Sequence, residues 1–178
     1  MNSSTRERIA ASIKEFRLPT YQEIPDVGLY LEQTAKYISD CLSPLQDASV
    51  TGSMISNYVK KGLITKPVRK QYSREQIAQL MFIAAAKSVL SMDDVHLMLT
   101  VQRQTYPSQI AYEYFRTELD HVLDCVFHRK AELRALDEHA TEQKVMLRNT
   151  IIALAHKIYL EKLFALIRQD HAQAEDKE

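Results

Sequence analysis

The chain has 178 residues, 46% hydrophobic and 26% charged, enough for one sizeable core or two small ones. Its 3 Gly and 5 Pro, with no Trp, are too few turn-formers for a β-sandwich, a barrel or a glycine-rich phosphate-binding fold, which leaves a mostly α chain. Two cysteines, Cys41 and Cys125, exclude a disulfide framework, and the 23 basic residues cancel the 23 acidic ones. The cancellation hides a division. Between Thr51 and Leu90 stand Lys60, Lys61, Lys66, Arg69, Lys70, Arg74 and Lys87 against Glu75 alone, a local net of +6 that the remainder offsets. A basic island on a neutral protein suits a nucleic-acid-binding face, because phosphate neutralisation needs only local positive potential; a solvated charged surface is the plainer alternative.

In chain order, Ile9, Ile13 and Phe16 form a short amphipathic pattern, followed by Leu18-Pro19-Thr20 and Ile24-Pro25, so a short helix and an extended arm are expected over 1–26. Leu31, Ala35, Ile38 and Leu42 recur at helical spacing, giving a helix from about Val27 to Cys41, closed by Ser43-Pro44. A polar loop through Gln46-Asp47-Ala48 leads to Ser49 or Thr51, either able to cap a helix with Met54, Ile55, Tyr58 and Val59 on its buried stripe and Gly62 as terminator. Leu63 to Gln71 carries β-branched residues, a proline and three basic residues without helical periodicity, which predicts an exposed loop or small hairpin. Ser73 with Gln76 three positions on is a capping box for a helix striped by Ile77, Leu80, Met81, Ala84 and Ala85 and reaching Leu90. Ser91-Met92-Asp93-Asp94 repeats the start signal, its acidic residues favourably placed at the positive helix end, for a short helix to about Leu99.

From Ser108 onward there is neither Gly nor Pro, and two long helices are expected, Ser108 to Leu136 and Thr141 to Gln169, with the polar tail from Asp170 frayed. The apolar positions of the first include Ile110, Tyr114, Leu119, Val122, Val126 and Leu133; the second has an apolar arc wide enough for partners on more than one side. Tyr106, Tyr112, Tyr114, Phe115, Phe127, Tyr159 and Phe164 have two readings, a helical core with a homodimer interface, which is preferred, or an effector pocket. His121, Cys125 and His128 lie near one helix face, but i and i+7 are about 10 Å apart along the axis, so a partly buried stripe is expected in place of a metal site. The chain has no glycine-rich phosphate loop, nucleophile elbow, His-Glu-x-x-His or Cys-x-x-Cys. The expectation is no enzyme, no catalytic residue and no cofactor.

The constellation with the clearest chemical use runs from Thr51 to Leu99. Ser53, Ser56, Asn57, Lys60 and Lys61 give one helix a face of small polar and basic groups that can read base edges and contact phosphates, with Lys66, Arg69 and Lys70 gripping the flanking backbone and Arg74 adding charge. The stretch from Met54 to Ile64, then Pro67, Tyr72-Ser73, Ile77, Leu80, Phe82-Ile83 and Ser91 to Val95 with Leu99, resembles the winged helix-turn-helix of MerR-type transcription regulators. The whole chain also looks like a bacterial domain-of-unknown-function family that has this N-terminal half. The resemblance covers about half the chain and implies Tyr58 at a backbone phosphate and Gly62 at the turn. It departs at Ser56, where MerR proteins usually carry Arg, in a shorter wing without a Gly-Tyr-Arg triplet, in the missing effector-domain cysteines, and from Ser108 to Gln169, which does not match a single dimerising helix.

The expected architecture is therefore all-α: an N-terminal arm (1–26), a MerR-like winged helix-turn-helix (27–103), a helical dimerisation or effector module of two long helices (104–170) and a tail (171–178). Its expected partners are double-stranded DNA, a second copy and an unidentified small-molecule effector, in the cytoplasm and off the membrane. The rival reading is a protein-interaction adaptor that does not bind DNA.

Overall fold

The computed structural model describes residues 3–45, 49–128 and 132–175; the loop expected at Gln46 to Ala48 and the last three tail residues lie outside them. The described chain is mostly helical: α1 (Ser3–Ala11), α2 (Leu31–Leu42), α3 (Gly52–Lys60), α4 (Arg74–Ala86), α5 (Met92–Thr105), α6 (Ser108–His128) and α7 (Glu142–Glu175). The one sheet among the described residues pairs β1 (Leu29–Tyr30) with β2 (Gln71–Tyr72) antiparallel, Leu29 opposite Tyr72 and Tyr30 opposite Gln71. No helix among them is long and apolar enough to cross a membrane.

Local chemistry sets the helix starts. Thr51 accepts from the Met54 N–H and Ser91 from the Asp94 N–H, while Ser73 and Gln76 close a reciprocal capping box at α4. Helix α3 stops in a Schellman turn: Leu63 N donates to Tyr58 O (3.0 Å) and Gly62 N to Val59 O (3.1 Å). Gly62 takes φ 75°, a left-handed conformation that would cost another residue about 1–2 kcal/mol.

Ile38, Ile55, Ile77, Leu80, Met81, Leu119 and Ile151 are fully buried in one continuous apolar cluster that draws on all seven helices. The α4 stripe of Ile77, Leu80, Met81, Ala84 and Ala85 is buried throughout, which makes α4 the central helix against which α2 and α6 pack.

Five boundaries depart from expectation. Helix α2 begins at Leu31 and not near Val27, because Gly28 turns at φ 74° and Leu29–Tyr30 pair with a strand more than forty positions on, a contact that periodicity cannot show. Helix α4 stops at Ala86 and not at Leu90; the Lys87 ammonium caps the Ser49 carbonyl (2.7 Å) instead. Helix α5 runs six residues past Leu99 to Thr105, since its polar last turns contain no breaker before Pro107. Among the described residues helix α6 reaches His128, and 132–136, expected to continue it, are not helical; Leu133 is exposed there. Residue 134 is held out of a helix by side chains: its carbonyl accepts from Arg148 and its N–H donates to His121 Nε2 (3.4 Å). Helix α7 continues through the expected frayed tail to Glu175, where Arg8 of α1 clamps Asp170 with contacts of 2.9 and 3.2 Å.

Candidate nucleic-acid interface

On α3 the residues at i, i+3, i+4 and i+7 (Ser53, Ser56, Asn57 and Lys60) are all exposed, and Ile55 and Tyr58 on the opposite side are buried. Lys61, the C-cap, is exposed beside them. Tyr58 sits in the core with its hydroxyl pKa raised by burial, and so belongs to the packing of α3 and not to its outward face. This corrects the phosphate contact that the family resemblance implied.

After the Schellman turn the chain forms a hairpin. Val68 bridges to Gln71, Gln71 N donates to Val68 O (2.9 Å), and the two residues between them, Arg69 and Lys70, take φ values of 50° and 65°. Positive φ at both central positions is the signature of a type I′ hairpin, whose favoured residues are Asn and Gly. Two long cations occupy the tip instead, each at a backbone cost. Lys66, Arg69 and Lys70 are all exposed. Strand β2, the return limb of the hairpin, pairs with β1, so the arm ahead of α2 braces the hairpin against the body.

Two side chains fix this arrangement from behind, Gln76, read in the sequence only as a capping partner, and Arg103, not read there at all. Besides closing the capping box with Oε1, Gln76 donates through Nε2 to the Thr65 carbonyl (2.8 Å) and hydroxyl (3.0 Å) at the hairpin base. Arg103 of α5 donates to the Leu63 carbonyl just after Gly62. A legible signal was the pair Gln76 and Gln79 on the buried side of a helix otherwise lined by Ile77, Ala78 and Leu80, since buried amides require partners.

Arg74, expected at the interface, turns inward. Its guanidinium donates to Ile24 O (2.8 Å) and Gln22 Oε1 (3.1 Å), lies 3.8 Å from Asp26 and stacks 5.7 Å from the Tyr21 ring, which makes it the latch between α4 and the arm. The His121, Cys125 and His128 stripe is local as well: Cys125 Sγ lies 3.8 Å from His121 Nε2, and His128 Nδ1 is 3.3 Å from Asp124. No group of three or more His, Cys, Asp or Glu residues among the described ones could hold a metal ion.

The family model for a domain of unknown function, DUF1836, matches residues 19–115, just over half of the chain. The chain belongs to this family. No curated protein and no solved structure matches it. The DUF1836 segment holds the end of the arm (19–26), α2, α3, the hairpin, α4, α5 and the first turns of α6, so every candidate interface residue falls within it.

Proposed function

We propose that this DUF1836 protein is a bacterial transcription regulator that binds duplex DNA as a homodimer through a MerR-like winged helix-turn-helix, with α3 as recognition helix and the hairpin as wing. The observation that carries the reading is the hairpin tip. Two cations stand where the turn favours Asn and Gly, and residues held in costly backbone conformations concentrate at functional sites. Next to it in the chain, α3 offers an outward face of two serines, an asparagine and a lysine. Ser53, Ser56 and Asn57 supply limited base readout, and Lys60, Lys61, Lys66, Arg69 and Lys70 supply salt-dependent affinity. The role is binding and not catalysis.

The test is fluorescence anisotropy of the full chain with random-sequence and own-promoter duplexes across a salt series. Five phosphate contacts on each subunit, ten for the dimer, give a log–log slope of about −9, and a regulator prefers one duplex over the others. No binding to any duplex at low salt overturns the reading and favours the adaptor.

Dimerisation is assigned to α7. Leu160, Phe164 and Ile167 stand at i, i+4 and i+7 and are 48%, 52% and 40% exposed, an apolar row along one face of the longest helix. Sedimentation of the wild-type chain should give a dimer and Phe164→Glu a folded monomer; a wild-type monomer at tens of micromolar would refute the assignment.

A further inference from the structure

Between α4, α5, α6 and the first turns of α7 lies a cavity of about 230 Å³. Four of the aromatic residues noted in the sequence line it, Tyr106, Tyr112, Tyr114 and Phe115, with Phe82 and Leu147 adding apolar wall. The other three go elsewhere: Phe127 and Tyr159 pack edge to face at 5.3 Å, and Phe164 lies on the α7 surface. An apolar void of roughly 150 Å³ is enough to admit benzene, so a substituted ring fits here. Ile110 and Met146 belong to the lining yet are 57% and 36% exposed, which puts apolar side chains at the mouth where a ligand would cover them.

Polar groups occur at two places. Lys144 is part of the lining, its ammonium 5.8 Å from the Tyr114 ring centroid, and it enters no ion pair among the described residues. Gln79 and Ser108 form the second. Gln79 Nε2 donates to Ser108 Oγ (3.5 Å), Ser108 donates to Glu75 (2.5 Å), and Gln79 Oε1 accepts from Arg103 (3.4 Å), whose guanidinium also holds the Leu63 carbonyl. One wall of the cavity is thus joined by two hydrogen bonds to the turn between α3 and the hairpin.

We propose that the cavity is a binding site for a small aromatic carboxylate, its ring among Phe82, Tyr112 and Phe115 and its carboxylate on Lys144, and that occupancy is transmitted through Gln79 and Arg103 to the Leu63 turn. The regulatory use of that link rests on the DNA-binding reading; the binding site does not. An unpaired cation beside an apolar, aromatic wall selects an amphipathic anion over a neutral isostere, because only the anion forms a charge-assisted bond there.

The probe is 3-phenylpropanoate, with 3-phenylpropanamide as its neutral counterpart, titrated calorimetrically into the full chain. The acid should bind about tenfold or more tightly than the amide, the discrimination expected of one charge-assisted hydrogen bond. Lys144→Met should erase that preference and leave amide binding intact, and Ala111→Phe, which fills the cavity from α6, should abolish both. In methyl-labelled wild-type protein the acid should shift the Met98 and Met146 resonances and leave Met54 in place, which locates the site even if Ala111→Phe fails to fold. It should also move the Leu63 amide in wild type but not in Gln79→Leu, a reading of the link that requires no DNA. Equal affinity for acid and amide, or no shift at Met98 and Met146, overturns the site. A silent Leu63 amide in acid-bound protein overturns the link. Acid binding with no duplex binding would count against the DNA reading alone.

Discussion

Lys60→Glu combined with Lys61→Glu should lower duplex affinity about 100-fold or more near 100 mM salt and flatten the salt dependence by about four units, one for each of the two phosphate contacts removed from each subunit of the dimer. Both lysines are exposed at the end of α3, and surface substitutions of this kind stay within about 0.5 kcal/mol of wild type in stability. A loss of binding in this variant can therefore be read as lost contact with DNA once circular dichroism shows the helices intact. The specificity side of the same experiment is equally informative. Charge reversal at a phosphate contact weakens all duplexes alike, whereas Asn57→Ala, which removes an amide from the outward face, should compress the difference between the preferred duplex and random sequence. Unchanged affinity in the double reversal would remove α3 from the interface.

The hairpin tip yields a second large effect, with opposite signs in two measurements. Replacing Arg69 by Asn and Lys70 by Gly puts the favoured type I′ pair at φ 50° and 65°. Relief of two strained residues should raise unfolding stability by about 1–2 kcal/mol, seen as a higher urea midpoint with unchanged m-value. The same change removes two exposed cations, and duplex affinity should fall about tenfold or more. Stability bought at the expense of binding is the expected pattern for a functional element. Higher stability with unaltered binding would show that the tip does not touch DNA, and the cations would then need another explanation.

What could be read in the sequence was what is local. Thr51, Ser73 and Ser91 announce their helices because a cap is a bond between neighbours, and Gly62 marks its turn for the same reason. The exposed face of α3 follows from spacing alone. The strand at Leu29–Tyr30, the inward latch of Arg74 and the end of α7 depend on partners about forty to more than a hundred and fifty positions away, such as Ile24 with Arg74 or Arg8 with Asp170. No window of periodicity contains such pairs. Tyr58 was ambiguous for another reason: a tyrosine on an apolar stripe satisfies both a core and a phosphate reading, and only burial separates them.

Gln76 bonds the hairpin base with one end of its amide and the start of α4 with the other. The segment from Lys66 to Lys70 therefore hangs from a bracket that belongs to a different helix, and its own side chains are not needed to seat it. Such a tip is exchangeable: a change in its length or charge leaves the mounting made by Thr65, Ser73 and Gln76 in place.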